Sequence, residues 1–243
     1  DIMGNKATAY GFIAAAEKAG LKLFLGSYPI TPATDVLHEL SKHKSLGVIT
    51  VQCEDEISGC ATAIGASFAG ALAVTTTSGP GVCLKSEAMN LAVITELPLV
   101  VLNVQRGGPS TGLPTKSEQT DLLQALFGRN GESPMPVIAA TSPTNCFDAA
   151  YAACKMALEH MTPVVLLTDG FVANGSGSWK LPNLDTYPEI KPQYVTPEMK
   201  DNYTPYKRNP ENQVRYWAIP GQEGYTHIPV SYTHLTLPTI CSV

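Results

Sequence analysis

The sequence predicts an α/β fold in which a parallel sheet carries helices on both faces. Over residues 4–170, short apolar segments alternate five or six times with segments of helical character, which is the pattern of β-α repeats. The 243-residue chain is 44% hydrophobic and 15% charged, with a mean hydropathy of +0.02, so it can bury a sizeable core. We therefore expect ligands to bind beyond the carboxyl ends of the strands.

The elements follow one another in a regular order. The apolar segments, each of strand length, are residues 21–25, 47–53, 71–76, 99–104, 136–140 and 163–168. The segments with helical character are residues 7–18, 34–42, 57–69, 86–95, 119–127 and 146–160. The first helix is rich in Ala, Glu and Lys and ends at Gly20, a residue type that commonly terminates helices. The second helix has Val36, Leu37 and Leu40 on one face.

The chain divides into three parts. Residues 4–173 form the predicted α/β domain, whereas residues 174–228 are rich in Pro, Asn, Tyr and charged residues and predict an extended connecting arm towards a second domain. Residues 230–239 read VSYTHLTLPT, which resembles a translated sequencing adapter, so we expect residues 229–243 to be a non-native tail. Because the chain does not begin with Met, we also expect it to be a piece of a longer protein.

Composition excludes several classes of partner. The formal net charge is −5 and there is no run of Lys or Arg, which argues against nucleic acid as a partner. The longest apolar stretches are about strand length, well short of the roughly 20 residues of a membrane helix, so we expect no membrane partner. The six cysteines form no CxxC pattern, which favours free thiols and a cytoplasmic location.

Two groups of charged residues follow predicted strands. Glu54, Asp55 and Glu56 stand where a strand gives way to a helix, and acidic residues there serve as helix caps or, if one is buried, as proton-transferring groups. Arg106 follows the strand over residues 99–104, where a guanidinium can form a surface ion pair or bind a substrate carboxylate bidentately. Position in the sequence leaves both pairs of alternatives open.

Two further motifs are incomplete. Residues 79–86 resemble a phosphate-binding loop, but leucine stands where the glycine before Lys85 belongs, so we do not expect one. Residues 108–112 match the GxSxG pattern of serine hydrolases, with Ser110 as nucleophile and Asp121 or Asp169 and His160 as its partners. That motif also needs a helix directly after the serine, whereas the segment here is rich in proline and glycine, so the hydrolase remains an alternative only.

Four motifs together resemble the alpha subunit of 2-oxoacid:ferredoxin oxidoreductases, and most closely the 2-oxoglutarate type. They are YPITPAT at residues 28–34, EDEI at 54–57, TSGPG at 77–81 and QRGGPSTGLPT at 105–115. The resemblance extends from about Gly4 to Gly221. It implies that residues 4–173 form the pyrimidine-binding domain of a thiamine diphosphate enzyme.

The resemblance implies a catalytic role for one of the three acids. In the broader thiamine family a glutamate lies nine residues before a helix glycine, and Glu56 and Gly65 have that spacing. Glu56 is therefore the expected catalytic and cofactor-binding residue, with Glu54 as the second candidate. A carboxyl group hydrogen-bonded to the aminopyrimidine ring favours its imino tautomer, which in turn removes the proton from thiazolium C2.

The resemblance also implies substrate-binding residues. Thr31 of the YPITP motif and Arg106 would bind the carboxylate of the 2-oxoacid, and Ser110 and Thr111 would close over it in a loop. The reaction implied is oxidative decarboxylation of a 2-oxoacid, with 2-oxoglutarate as the expected substrate, to an acyl-CoA, with electrons passed to ferredoxin.

Thiamine diphosphate is the implied cofactor, contacted on this chain by Glu56 and by Thr77, Ser78 and Gly79 of the TSGPG turn. The motifs for the diphosphate, for Mg²⁺ and for an iron–sulfur cluster do not occur in this sequence, and the resemblance implies that they lie on a beta subunit. No metal site is expected on this chain, CoA is the implied co-substrate, and the chain alone is expected to be inactive. A thiamine-type domain that only scaffolds its partner is the remaining non-enzymatic alternative.

Overall fold

A computed structural model describes residues 1–225 and contains a six-stranded parallel sheet with helices on both faces, which confirms the predicted fold class. The strands are β1 (Ile2–Met3), β2 (Leu23–Ser27), β3 (Val48–Gln52), β4 (Leu72–Thr77), β5 (Leu99–Gln105), β6 (Val137–Ala139), β7 (Pro163–Asp169) and β8 (Ser176–Gly177). The α-helices are α1 (Gly4–Ala19), α2 (Thr34–Leu40), α3 (Glu56–Phe68), α4 (Gly79–Ile94), α5 (Leu122–Phe127), α6 (Asn145–His160) and α7 (Gly170–Asn174). Three short 3₁₀ helices cover Lys44–Leu46, Leu184–Thr186 and Pro197–Asn202.

The strand order of the main sheet places a ligand crevice near its centre. The order is β3-β2-β4-β5-β7-β6, so the chain moves outward from β2 to β3 and then returns across β2 to β4. The carboxyl ends of β2 and β4 therefore lie at the point where the winding direction reverses, which is where open α/β sheets usually bind ligands. The two remaining strands, β1 and β8, form a separate antiparallel pair that joins the amino terminus to the segment after α7.

Two hydrophobic clusters cover the two faces of the sheet. One cluster joins α1, α2 and α6 to the sheet and includes the fully buried Phe12, Leu25 and Leu102. The other joins α3 and α4 to the opposite face and includes Met89 and Val101. Alternate residues of β4 and β5 belong to opposite clusters, as the period of a strand requires when both of its faces are buried.

Three helices begin three or more residues from the expected position. The first, α1, begins at Gly4 instead of residue 7. The helix expected to begin at residue 86 is α4, which begins at Gly79, because Pro80 suits a first helical turn, where its missing N–H costs no hydrogen bond. The helix expected to begin at residue 119 is α5, which begins at Leu122. Residues 119–121 precede the helix, and the Gln119 amide donates to the Asp169 carboxylate at 2.7 Å.

The segment after β8 packs partly on the face that carries α1 and α6, and its later residues Tyr206 and Arg208 bond to Ile94 and Glu96 at the end of α4. Trp179 packs against Phe147, with ring centroids 5.6 Å apart, and Tyr194 stacks on the fully buried Trp217 at the same centroid separation. Up to residue 225, its secondary structure consists of isolated β-bridges and short 3₁₀ helices. It contributes no strand to the main sheet. Its role as an arm towards a second domain, and the boundary at residue 173, stay predictions. The tail expected at 229–243 lies outside the described residues.

Two further observations concern membrane-spanning helices and the cysteines. Within residues 1–225, none of the helices combines the length and the apolar composition needed to cross a membrane. The five cysteines in this part of the chain are all free thiols.

Candidate functional site

The site begins where β2 and β4 end side by side. The Ser27 hydroxyl at the end of β2 lies 2.7 Å from the Thr76 hydroxyl and 3.0 Å from the Thr76 carbonyl oxygen, so the two strand ends are joined directly. The loop after β2 carries the YPITP motif, and the peptide bond between Thr31 and Pro32 is cis. The loop after β4 carries the TSGPG motif. The sheet thus brings together two motifs that are some 45 residues apart in sequence.

The three acids at the start of α3 occupy different environments. Asp55 caps the helix, because its carboxylate accepts a hydrogen bond from the Ser58 backbone N–H at 2.7 Å. Glu54 is exposed, whereas Glu56, the first residue of α3, is buried with 8% of its surface accessible. Asp55 is therefore the helix cap, and Glu56 is the buried acid of the three.

Glu56 packs against the first turn of α4. A Cβ atom added at Gly81 would lie 2.9 Å from Glu56 Cγ and 1.9 Å from the Thr77 hydroxyl oxygen, so only glycine allows this approach. The side-chain hydroxyl of Ser78, which directly precedes α4, is buried and has no hydrogen-bond partner within residues 1–225. Buried hydroxyls are normally hydrogen-bonded, so this one is available to a ligand.

Arg106 joins two of the predicted substrate loops. Its guanidinium donates one hydrogen bond to the Thr31 carbonyl oxygen and one to the Thr111 carbonyl oxygen, each at 2.7 Å. Its Nε–H is buried and has no partner within the described part of the chain. Burial lowers the pKa of the Arg106 guanidinium, and the Glu56 carboxylate opposes that shift, so Arg106 and Glu56 share one site.

The loop after β5 forms one wall of an open cleft of about 670 Å³. The loop folds back on itself, with the Gly107 N–H donating to the Lys116 carbonyl oxygen at 2.8 Å and the Gly108 N–H donating to the Glu118 carboxylate at 2.7 Å. Ser110, at its exposed tip, has a positive φ of 60°. Arg106, Gly79 and the tip residues 109–111 all line the cleft.

A polar network that sequence reasoning missed supports this cleft from below. The Asn103 amide donates to the Asp121 carboxylate at 2.9 Å, and the Asp121 backbone N–H donates to the Gln105 side-chain oxygen at 3.0 Å. A Cβ atom at Gly79 would come within 2.7 Å of that carboxylate, so the network reaches the start of α4. The signal in the sequence is the pair Asn103 and Gln105, two polar residues inside the apolar strand β5.

The hydrolase triad is not assembled. Ser110 lies beyond the carboxyl end of β5, whereas His160 precedes β7, and the register pairs Leu99 with Pro163 and Gln105 with Asp169. Seven paired residues, about 20 Å of strand, therefore separate the serine from the histidine. No helix begins directly after Ser110, and the Asp169 carboxylate instead caps α7 by accepting from the Phe171 N–H at 2.7 Å.

The structure brings Thr31, Glu56, Thr77, Arg106 and Thr111 to one edge of the sheet. The individual role of each residue stays a prediction. Within residues 1–225, no group of three or more His, Cys, Asp or Glu side chains could hold a metal ion.

Comparison with known proteins identifies close relatives. The chain is 57% identical over 226 residues to the 2-oxoglutarate oxidoreductase subunit KorA of Mycobacterium tuberculosis, covering 93% of this chain and 34% of that protein. It is 42% identical over 184 residues to the 2-oxoglutarate synthase subunit KorA of Archaeoglobus fulgidus, covering 75% and 52%. The chain thus spans between about a third and about half the length of these relatives.

A solved structure has the same fold. The chain superimposes on the 2-oxoglutarate:ferredoxin oxidoreductase from Magnetococcus marinus, a structure with 2-oxoglutarate, coenzyme A and succinyl-CoA bound, with a TM-score of 0.88 and 36% sequence identity. The match covers 95% of this chain and 39% of that one. A family model described as pyruvate flavodoxin/ferredoxin oxidoreductase, thiamine diphosphate-binding, matches residues 14–233. The chain therefore belongs to the thiamine diphosphate-binding family of the pyruvate flavodoxin/ferredoxin oxidoreductases.

Proposed function

We propose that this chain supplies the pyrimidine-binding half of a 2-oxoacid:ferredoxin oxidoreductase that converts 2-oxoglutarate and CoA to succinyl-CoA. The observation that carries the proposal is the position of Glu56, a buried carboxyl at the start of α3 that faces the glycine turn of α4. The relatives at 57% and 42% identity are both named as subunits of 2-oxoglutarate enzymes, which supports 2-oxoglutarate as the substrate.

The residues present fit the pyrimidine end of thiamine diphosphate. Glu56 offers a carboxyl group, and the Ser78 hydroxyl, which has no partner within residues 1–225 and directly precedes α4, offers a hydrogen-bonding group. The absence of a side chain at Gly81 leaves room beside Glu56. Thiamine diphosphate, when bound, supplies a thiazolium carbon that becomes nucleophilic on losing its proton. Glu56 would hold the proton at the pyrimidine ring nitrogen, and Thr77, Ser78 and Gly79 would orient that ring.

Arg106 is the proposed anchor of the substrate carboxylate. Its buried Nε–H is unpartnered within the described residues, and its two Nη groups are held in place by the carbonyl oxygens of Thr31 and Thr111. A guanidinium fixed in this way presents donors in a geometry that matches a carboxylate. Thr31, Ser110 and Thr111 would then close around the substrate, because the loop tip lines the same cleft.

The remaining parts of the enzyme are proposed to come from a partner subunit. A beta subunit would hold the diphosphate, Mg²⁺ and the iron–sulfur cluster, and it would pass electrons to ferredoxin. Both of these relatives are named as subunits, which supports a heteromeric assembly. A cytoplasmic location belongs to the same proposal and suits the free thiols of residues 1–225.

The test is an assay of the full-length protein assembled with its partner subunit. We expect reduction of ferredoxin that depends on 2-oxoglutarate, on CoA and on thiamine diphosphate, with pyruvate as the comparison substrate. Absence of reduction with either acid, in a soluble assembled complex, would contradict the proposal. Undiminished activity of the Glu56→Gln variant would instead indicate the scaffold alternative.

A further inference from the structure

A fully buried lysine lies directly beneath the candidate site. Lys85 is on α4 and has none of its surface accessible, and its Nζ donates a hydrogen bond to the Thr75 hydroxyl at 2.7 Å. Thr75 is a neutral acceptor. Removing an ammonium from water is costly unless an anion lies nearby, so the position of Lys85 calls for a negative partner.

The packing of two helices on β4 shows which anion is available. Glu56 and Cys60 are one turn apart on α3, and Gly81 and Lys85 are one turn apart on α4. Glu56 faces Gly81, where a Cβ atom would approach Glu56 Cγ to 2.9 Å. One turn deeper, Cys60 and Lys85 lie close enough for each to affect the ionisation of the other.

Two threonines of β4, the strand beneath these helices, lie at the heights of Gly81 and Lys85. Thr77 and Thr75 point to the same face of β4, two residues apart. The Thr77 hydroxyl lies at the level of Gly81, and the Thr75 hydroxyl binds Lys85. The ammonium is thus held one level below the Glu56 carboxylate, on the side of the site away from solvent.

The charges around the ammonium single out Glu56 as its counter-charge. Burial lowers the pKa of Lys85, and Cys60, Glu56, Cys53 and Asp55 oppose that shift. Burial raises the pKa of the Cys60 thiol to about 11, so this group is neutral near pH 7.

The other two opposing groups are less suited to the role. Asp55 is exposed and its carboxylate already caps α3, and the Cys53 thiol is only half-buried and lies 3.6 Å from the Thr62 hydroxyl. Arg106 is a second cation close enough to interact with the Glu56 carboxylate.

We infer that Lys85 is a positioning residue, the buried counter-charge of Glu56, and that its charge sets the lower pH limit of activity. This inference rests on the proposed function for its catalytic meaning, but the pairing of the two charges is independent of it. A cation beneath the carboxylate stabilises the ionised form, so activity extends to lower pH than it would without Lys85.

The first test is the pH profile of kcat/KM in the assembled enzyme. Lys85→Gln keeps a donor for Thr75 but removes the charge, and we expect it to move the acidic limb of the profile upward by about one pH unit. Thr75→Val is the matched control, because it removes the hydrogen bond and keeps the charge; we expect it to leave the limb in place. An unmoved limb in Lys85→Gln, or an equal movement in both variants, would overturn the inference. Lys85→Met serves as the second neutral variant if Lys85→Gln does not assemble.

The second test uses stability and needs no turnover. Thermal unfolding of the full chain with its partner, without thiamine diphosphate, is compared for Glu56→Gln, Lys85→Gln and the double variant. We expect Glu56→Gln to lower Tm clearly when Lys85 is present, and by less than half as much when it is replaced. Additive shifts would overturn the pairing. Non-additive shifts without thiamine-dependent activity would overturn the proposed function and leave the pairing intact.

Discussion

Arg106 shows how a single side chain is prepared for a ligand before the ligand arrives. Both of its Nη groups are fixed by backbone carbonyl oxygens from two separate loops, while its Nε–H is buried and unpartnered within residues 1–225. Lysine at this position could keep the charge but could not make the same set of hydrogen bonds. The identity of the side chain therefore matters as much as its charge.

We expect Arg106→Lys to raise KM for 2-oxoglutarate at least about tenfold, since a hydrogen bond to a charged group contributes about 1.5–3 kcal/mol. Steady-state kinetics of the assembled enzyme measure this. Arg129→Lys is the matched control, because the Arg129 guanidinium also donates to backbone carbonyls, those of Ala125, Leu126 and Ser133, but lies outside the cleft. Equal KM changes in the two variants would refute substrate binding by Arg106.

Glu39 on α2 gives a prediction about pH and stability. Burial raises the pKa of this carboxyl, but hydrogen bonds from Lys42 and His43 outweigh burial and lower it to about 2. Because the pKa is lower in the folded protein than its ordinary value of 4.5, the stabilisation is present at neutral pH and is lost as the pH falls from about 4.5 towards 2.

We expect Glu39→Gln to lower Tm at pH 7 and to have a diminishing effect as the pH approaches 2. Thermal unfolding at several pH values measures this, with the exposed Glu132→Gln as the control variant that changes Tm little at any pH. A Tm difference between wild type and Glu39→Gln that does not shrink on acidification would contradict the assignment.

At the scale of elements, the close contact between α3 and α4 positions the site. A Cβ atom at Gly81 would collide with the Thr77 hydroxyl at 1.9 Å, whereas a Cβ atom at Gly65, exposed on α3, meets nothing within 4 Å. The same substitution should therefore have opposite effects at these two positions. Gly81 is required by the approach of the two helices, and Gly65 is not required by any contact within residues 1–225.

We expect Gly81→Ala to lower the free energy of unfolding by about 1–3 kcal/mol, through overpacking, and to impair thiamine diphosphate binding. Gly65→Ala should raise it by about 0.5–1 kcal/mol, because alanine is the better residue in a helix interior. Denaturant unfolding of the full chain measures the free energy of unfolding of both variants. A stabilised Gly81→Ala variant would show that α4 does not approach Glu56 this closely.

The elements also show what sequence reasoning can and cannot establish. The strands of the main sheet were predictable because each is a short apolar run between helical segments. The start of α4 was missed, since glycine and proline in Gly79–Gly81 usually indicate a loop, although proline fits a first helical turn. Lys85 gave no signal as a buried charge, because its burial depends on the packing of α3 and β4 around it.

At the scale of the whole molecule, the reversal of strand order explains why distant motifs form one site. The YPITP and TSGPG motifs follow β2 and β4, which are neighbours only because the chain crosses back over β2. Sequence position could predict that each motif lies at the ligand edge, but not which acid of the EDEI motif is buried. The packing of Glu56 against Gly81 supplies that distinction.

The most direct test of the account is the rate at which the C2 proton of thiamine diphosphate exchanges with deuterium in the assembled enzyme, measured by acid quench and NMR. We expect Glu56→Gln to slow this exchange by about 100-fold or more, the usual size of an acid–base contribution. We expect Glu54→Gln, which alters an exposed acid, to leave it within about threefold of wild type. Unchanged exchange in Glu56→Gln, or a comparable loss in Glu54→Gln, would contradict the central claim that Glu56 holds the proton of the pyrimidine ring.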